Sequence, residues 1–262
     1  MTRLLFIGNS HLAAVKTAWD QAAPPGHDAE FFGAPQRAWA RMALLPGNHF
    51  GLSEGDYKRQ HQITEAAHGK PAVSLDNRDI VLSVGGFSAA EAIAALLAGC
   101  DIPDLRETGS ATLLTEPLFA KACATLAAAC LPETGWHNRS DVKCAVLPRP
   151  APADSCLTST WPGYAPWHRL AADPAGVTDA FALFDDALTG TLAAKGITYL
   201  PQPRETRSET GLTPARFLAP GGGAKPGEDH KRGDHAHMNT AYGAACVTQI
   251  LAWLQSQSQS QN

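Results

Sequence analysis

Three residues near the two ends of the chain are of the types that activate a nucleophile. Ser10 follows an apolar run that ends at Gly8, and Asp234 and His237 stand three positions apart near the other end. A serine hydroxyl becomes nucleophilic when a histidine takes its proton and a carboxylate holds that histidine in the required tautomer. The Asp-x-x-His spacing lets the carboxylate reach one ring nitrogen while the other faces the serine. These side chains predict acyl-transfer chemistry if folding brings them together.

The elements around Ser10 are predicted to place it where α/β proteins bind ligands. Residues 3–8 predict a strand and residues 11–22 an amphipathic helix, so Ser10 lies between the two. Open parallel sheets bind ligands outside the carboxyl ends of their strands, and a helix N-terminus favours negative charge developing on an oxygen. His11, the next residue, is predicted to be a surface residue of the first helical turn.

Strand-like and helix-like runs alternate along the chain, which is typical of a parallel sheet with helices on both faces. The apolar run 79–84 is followed by two glycines and is predicted to be the central strand, because it can be buried on both faces. Asn239 is a predicted N-cap for the last helix. The other predicted elements are strands at 30–32, 143–147 and 197–200 and helices at 89–97, 117–129, 177–195 and 240–254.

Three internal segments and the C-terminus lack a regular period. Residues 36–70 predict loops with short helices or a hairpin, and the proline-rich, aromatic segment 148–167 predicts an irregular loop. Residues 202–233 are polar and glycine-rich and predict a mobile surface stretch. The Gln-Ser repeat predicts a disordered tail over residues 255–262. We therefore expect a single domain over residues 1–254.

Composition narrows the class of protein. The chain has 262 residues, of which 44% are hydrophobic and 18% charged, which is enough for one large core. A net charge of -4 gives no basic surface for nucleic acid. The N-terminal apolar run is too short for a secretory signal, no run is long enough to cross a bilayer, and the six cysteines form no Cys-x-x-Cys pair. We expect a cytoplasmic protein that binds a small molecule, and neither nucleic acid nor a membrane.

Two short motifs carry a family resemblance. Gly8-Asn9-Ser10 and the block from Asp234 to His237 resemble the first and last sequence blocks of the SGNH/GDSL hydrolase family, and the resemblance covers nearly the whole chain in layout. It implies a three-layer α/β/α sandwich with a roughly five-stranded, flavodoxin-like parallel sheet. It also implies an esterase, lipase or carbohydrate deacetylase without metal or cofactor. The catalytic residues would be Ser10, His237 and Asp234, and the substrate a small-molecule or carbohydrate ester.

The chain departs from the family pattern at two places. The first block normally reads Gly-Asp-Ser, and Asn9 replaces the aspartate. The family's oxyanion-hole asparagine after the central strand has no counterpart in residues 84–88, and losing such a donor costs about 10²- to 10³-fold in rate. The oxyanion hole implied for this chain consists of Ser10, Gly33 after the second strand and Gly86 after the central strand.

Two other functions stay open from the sequence. Residues 228–237 contain three histidines and three acidic residues, a composition that could hold a divalent metal in a metal-dependent hydrolase. The missing asparagine also fits a catalytically weak or inactive domain of the same fold that binds glycans. In that case Trp161 and Trp167 would stack on sugar rings.

Overall fold

A five-stranded parallel sheet forms the centre of the computed structural model, which describes residues 1–53, 58–130, 135–137, 142–220 and 233–259. The strands are β1 (Thr2–Gly8), β2 (His27–Gly33), β3 (Ala43–Leu45), β4 (His49–Gly51), β5 (Ala72–Ser74), β6 (Ile80–Val84), β7 (Lys143–Leu147) and β8 (Ile197–Tyr199). The helices are α1 (Leu12–Ala22), α2 (Gln36–Trp39), α3 (Lys58–His68), α4 (Ala90–Leu97), α5 (Glu116–Ala129), α6 (Ala165–Ala172), α7 (Val177–Ala193) and α8 (Thr240–Gln259). Short 3-10 turns lie at 154–158, 162–164, 204–206 and 215–217.

The central position predicted for the run 79–84 is confirmed. The sheet has the order β2-β1-β6-β7-β8, and all four strand pairings are parallel. Every residue of β6 is buried, as expected for a strand covered on both faces. This strand order is that of flavodoxin-like sheets.

Alternate side chains of β1 enter two different hydrophobic cores. Leu4 and Phe6 pack in a core that includes residues of α1 and α8. Leu5 and Ile7 pack in a second core, on the opposite face, with residues of α4, α5, α6 and α7. Because successive strand residues point to opposite faces, this division means that helices cover both sides of the sheet. The predicted three-layer α/β/α architecture is confirmed.

The segment 36–70, predicted to consist of loops with short helices or a hairpin, contains both short helices and a hairpin. Strands β3, β4 and β5 form a small antiparallel sheet, of which β5 was not predicted. Trp39 of α2 and Phe50 of β4 meet edge to face at 5.5 Å between ring centroids and belong to the larger core. The small sheet is therefore joined to the main core through aromatic packing.

The prediction of an irregular loop throughout 148–167 was wrong. Two 3-10 turns lie within it, and α6 begins at Ala165. Pro166 lies in the first turn of α6, where a backbone N–H has no helical partner and the fixed φ of proline suits the helix. The proline is therefore compatible with the start of this helix, although the proline-rich composition of the segment predicted an irregular loop.

The mobile surface stretch predicted for 202–233 was wrong over residues 202–220. Gln202 is buried, accepts a hydrogen bond from the Ala151 N–H at 2.9 Å and donates to the Thr206 carbonyl at 2.9 Å and the Thr213 hydroxyl at 3.0 Å. One buried amide thus fixes polar backbone that has no regular period. Residues 221–232 lie outside the described part of the chain.

The last helix is longer than predicted, since α8 continues through 255–259 of the predicted tail. Its N-cap is as predicted, because Asn239 Oδ1 accepts hydrogen bonds from two N–H groups of the first turn, at 3.0 and 3.2 Å. Residues 260–262 lie outside the described ranges. Within those ranges, no helix combines the length and hydropathy that crossing a bilayer requires.

Candidate active site

The turn between β1 and α1 presents Ser10 at the carboxyl edge of the sheet. The strand order reverses here, because β2 lies on one side of β1 and β6 on the other. Such a switch point is where open α/β sheets bind ligands. Ser10 is exposed, so its hydroxyl is accessible to a ligand at this edge.

A chain of hydrogen bonds joins the three residues singled out in the sequence. His237 Nε2 lies 2.8 Å from Ser10 Oγ, across 227 positions of sequence. His237 Nδ1 lies 2.9 Å from Oδ1 and 2.8 Å from Oδ2 of Asp234. Because Nδ1 faces a carboxylate, it carries the proton of the neutral ring, and Nε2 is left to accept the proton of Ser10.

The carboxylate of Asp234 is held by backbone as well as by the imidazole. Its Oδ1 accepts hydrogen bonds from the N–H groups of Ala236 at 3.2 Å and His237 at 3.1 Å. Burial raises the pKa of Asp234, but the hydrogen bonds from the His237 ring and backbone outweigh burial and leave the pKa below its usual value. Asp234 is therefore an anion at neutral pH and fixes the orientation of the ring.

Neighbouring loops hold the segment that carries His237. The His237 carbonyl accepts a hydrogen bond from the Ala219 N–H at 2.9 Å, and the His235 carbonyl accepts one from the Ala153 N–H at 2.7 Å. These two backbone hydrogen bonds are made by the residues on either side of Ala236. The backbone before α8 is thereby fixed with respect to the rest of the molecule.

A close helix contact brings the two ends of the chain together. Gly243 in the first turn of α8 packs so tightly on α1 that a Cβ atom there would overlap the carbonyl oxygen of Ala14. Ser10 lies two residues before the start of α1, and His237 lies three residues before the start of α8. The missing side chain of Gly243 therefore allows the approach that places the hydroxyl and the imidazole within hydrogen-bond reach.

Asn9 connects the turn that carries Ser10 to the central strand. Its buried side chain donates from Nδ2 to the Gly85 carbonyl at 2.5 Å and to Gln36 Oε1 at 2.6 Å, while Oδ1 accepts from the His11 N–H at 3.0 Å. An ionised aspartate could not make the two donations. The sequence predicts only a polar replacement of aspartate at Asn9 and does not reveal this role.

His11 is not the surface residue that the sequence predicted. Its ring stacks on the ring of His237, with centroids 5.2 Å apart and an interplanar angle of 19°. Gly85, at φ +71°, leaves room for it, since a Cβ atom there would lie 2.7 Å from His11 Cβ. Burial lowers the pKa of His11 to about 3, and the positive charges of Arg149 and His237 act in the same direction. His11 is therefore neutral at physiological pH.

The three residues implied for the oxyanion hole differ in the hydrogen bonding of their backbone N–H groups. Among the described residues, the N–H groups of Ser10 and Gly86 have no hydrogen-bond acceptor. The Gly33 N–H lies 3.2 Å from His68 Nε2, which is also 2.5 Å from the Gly33 carbonyl. Since the next N–H, that of Ala34, donates to β1, the Gly33 N–H faces away from β1. The role of Gly33 as an oxyanion donor stays a prediction, and the contact with His68 was not foreseen.

The structure bears only in part on the residues behind the two alternative functions. In the described ranges, no group of three or more His, Cys, Asp and Glu side chains could hold a metal ion, while residues 228–232 of the proposed cluster lie outside those ranges. Trp167 is 1% exposed, so the prediction that it stacks on a sugar ring was wrong. Trp161 packs edge-on against Tyr164 at 5.0 Å between centroids.

Comparisons of this chain with models of protein families, with curated proteins and with solved structures found no match. Function must therefore be inferred from the geometry of the site.

Proposed function

We propose that this protein is a serine-dependent ester hydrolase of the SGNH/GDSL type, acting on a small-molecule or carbohydrate ester. The observation that carries the proposal is the hydrogen-bonded chain from Ser10 through His237 to Asp234 at the exposed carboxyl edge of the sheet. A serine, a histidine and a carboxylate in this order are the parts of a nucleophilic triad, which is recognised by geometry and not by sequence position.

In the proposed mechanism, Ser10 Oγ attacks the ester carbonyl while His237 Nε2 takes the hydroxyl proton. Asp234 stabilises the resulting imidazolium, and His237 then returns the proton to the leaving alcohol. A water molecule, deprotonated by the same imidazole, attacks the acyl-enzyme and releases the acid. The negative charge of each tetrahedral intermediate would be stabilised by the N–H groups of Ser10 and Gly86 and by the positive end of α1.

The cysteines support the proposed cytoplasmic location. All six are free thiols, and five of them are buried. Free thiols are the usual state of cysteine in reducing compartments, where disulfides are rare.

The test is hydrolysis of acetyl, butyryl and longer aryl esters by the wild-type protein and by Ser10→Ala. Because Ser10 is exposed, the alanine variant should fold normally and lose at least about 10³-fold in kcat. A fluorophosphonate probe should label Ser10 in the wild-type protein, as located by peptide mass spectrometry. Turnover by Ser10→Ala within tenfold of wild type would refute the proposal.

Ser155 provides a matched control. Its hydroxyl lies 2.8 Å from Nδ1 of His235, so it is also a serine paired with a histidine, but His235 Nε2 is buried and has no hydrogen-bond partner among the described residues. Without a carboxylate to hold the tautomer, this pair is not expected to activate the hydroxyl. The probe should therefore label Ser155→Ala as fast as wild type, and labelling that depends on Ser155 would contradict the assignment of Ser10.

A further inference from the structure

An arginine lies at the same edge of the sheet as Ser10, two strands away. In the parallel register, Gly8 pairs with Val84 and Val84 pairs with Leu147. Ser10 lies two residues after Gly8, and Arg149 lies two residues after Leu147. Both residues therefore lie equally far beyond this row of aligned residues. Adjacent strands are about 4.8 Å apart, so the two backbones are separated by roughly 10 Å along the edge.

The guanidinium of Arg149 makes no hydrogen bond to the part of the protein that the structure describes. Its Nε is buried, and the nearest carboxylate oxygen, Oε1 of Glu91, is 3.6 Å away, too far for a hydrogen bond. The side chain is 36% exposed, and no hydrogen bond joins the guanidinium to any other described residue. The backbone is fixed, because the Arg149 N–H donates to the Phe87 carbonyl at 2.9 Å. Glu91 thus forms an ion pair with one side of the guanidinium, and no described residue accepts a hydrogen bond from its terminal amino groups.

The charges of Arg149 and Asp234 both act on the half-buried His11 and on the buried Tyr164. Burial is the largest cause of the lowered pKa of His11, and the charge of Arg149 lowers it further while the charge of Asp234 raises it. For Tyr164, burial raises the pKa most, Arg149 lowers it and Asp234 raises it. The charges of Arg149 and Asp234 thus act on the same two side chains, which agrees with the place of Arg149 at the same sheet edge as Ser10.

We propose that Arg149 binds an anionic group of the substrate, so that the preferred esters carry a carboxylate a few bonds from the reacting carbonyl. A guanidinium pairs with a carboxylate through two parallel hydrogen bonds, which gives affinity and orientation together. An arginine side chain is long enough to span part of the roughly 10 Å between the two backbones, and the rest sets the distance between the two substrate groups. The inference rests on the proposed esterase function and adds the substrate class.

The test compares esters that differ only in charge. One pair is p-nitrophenyl hemiglutarate and its monomethyl ester, which place the carboxylate on the acyl side. The other is 4-acetoxybenzoate and its methyl ester, which place the carboxylate on the alcohol side. In at least one pair, wild type should show about tenfold or greater preference in kcat/KM for the charged ester, and Arg149→Gln should remove it. Arg149→Gln should lower kcat/KM less for the neutral ester than for the charged ester of that pair.

Arg3→Gln is the matched control. Arg3 also forms an ion pair, with Asp79 at 2.9 Å, but it lies at the amino end of β1, at the opposite edge of the sheet. This variant should keep the wild-type preference. If wild type prefers neither charged ester while it hydrolyses the neutral ones, or if Arg149→Gln keeps the preference, the proposal about Arg149 is wrong and the esterase function stands.

If no ester is hydrolysed, a measurement of glutarate binding tests the anion site separately from the esterase function. Ser10→Ala should bind glutarate by calorimetry, and Ser10→Ala combined with Arg149→Gln should bind it at least tenfold more weakly. Binding that depends on Arg149 in a protein that hydrolyses no ester would keep the anion site and reject the esterase. Equal binding by the two proteins, or none by either, would reject the anion site.

Discussion

The ring of His11 is packed against His237 and largely removed from water, so protonating it is costly. Its pKa is about 3 in the folded protein, against an ordinary value of 6.5. Between these values the unfolded chain binds more protons than the folded one, so the free energy of unfolding falls as pH drops from about 6.5 toward 3. His11 stabilises the fold at neutral pH relative to acid pH because it is buried in its neutral form.

We predict that His11→Phe has a weaker pH dependence of stability than wild type. Phenylalanine can keep the ring contact but does not titrate. Between pH 7 and pH 5, wild type should lose about 1–2 kcal/mol more than the variant in urea unfolding. Other buried histidines contribute equally to both proteins and cancel in the difference. Identical losses for the two proteins would show that His11 is not held neutral.

At the scale of single residues, the reactive side chains were easier to predict than the residues that position them. Ser10, Asp234 and His237 could be singled out because nucleophile activation requires those types, and the structure brings them together. The roles of Asn9 and His11 could not, because each depends on contacts with Gly85, a residue distant in the sequence. A polar residue beside a nucleophile carries no local signal that tells whether it is exposed or buried.

At the scale of elements, the contact between α1 and α8 sets the geometry of the site. Both helices pack over the same face of the sheet, in the core that includes Leu4 and Phe6. Gly243 is a point of close approach between them, because a Cβ atom there would lie 2.0 Å from the carbonyl oxygen of Ala14. Any side chain there must push α8 away from α1, and the segment carrying His237 moves with it.

We predict that Gly243→Ala lowers both stability and turnover. Overpacking against a backbone carbonyl costs about 1–3 kcal/mol, and a shift of His237 away from Ser10 lowers kcat with little effect on KM. The control is Gly190→Ala in α7, where a Cβ atom would meet nothing within 4 Å. That variant should gain up to about 1 kcal/mol because alanine favours the helix, and its kcat should not change. Equal effects of the two substitutions in thermal unfolding would refute a special role for Gly243.

Elements with a clear period were predicted well, and those that depend on distant contacts were not. The β-branched and apolar run of β6 identified the central strand, because burial on both faces demands it. Residues 202–220 offered no period, yet Leu212 and Thr213 are fully buried there. Thr213 forms hydrogen bonds with residues 202 and 151, which are 11 and 62 positions away in the sequence, and local propensity cannot reveal such contacts.

At the scale of the whole molecule, the first and last elements of the chain complete one layer. The helix α8 covers β1 and packs on α1, so the residues proposed as nucleophile and base become neighbours only when the C-terminal layer has docked. Sequence spacing alone could not establish this, since 227 positions separate Ser10 from His237. The site is therefore a product of the completed fold and not of any local motif.

Two truncations test this dependence on α8. Removal of residues 256–262 leaves all the buried side chains of the helix in place, the last of them Leu254, and should change the free energy of unfolding by less than about 0.5 kcal/mol. Removal of residues 247–262 takes away four buried side chains: Val247, Ile250, Trp253 and Leu254. Each contributes about 1.5–3 kcal/mol, and the sum approaches the whole stability of an ordinary domain.

The shorter protein should therefore lose cooperative unfolding and ester hydrolysis together, as measured by circular dichroism and by initial rates. If the protein ending at residue 246 kept the wild-type unfolding temperature, α8 would not be part of the cooperative unit. If it unfolded cooperatively but hydrolysed no ester, α8 would be needed only to position His237. Loss of both properties is expected because the buried face of α8 belongs to the core that also contains β1 and α1.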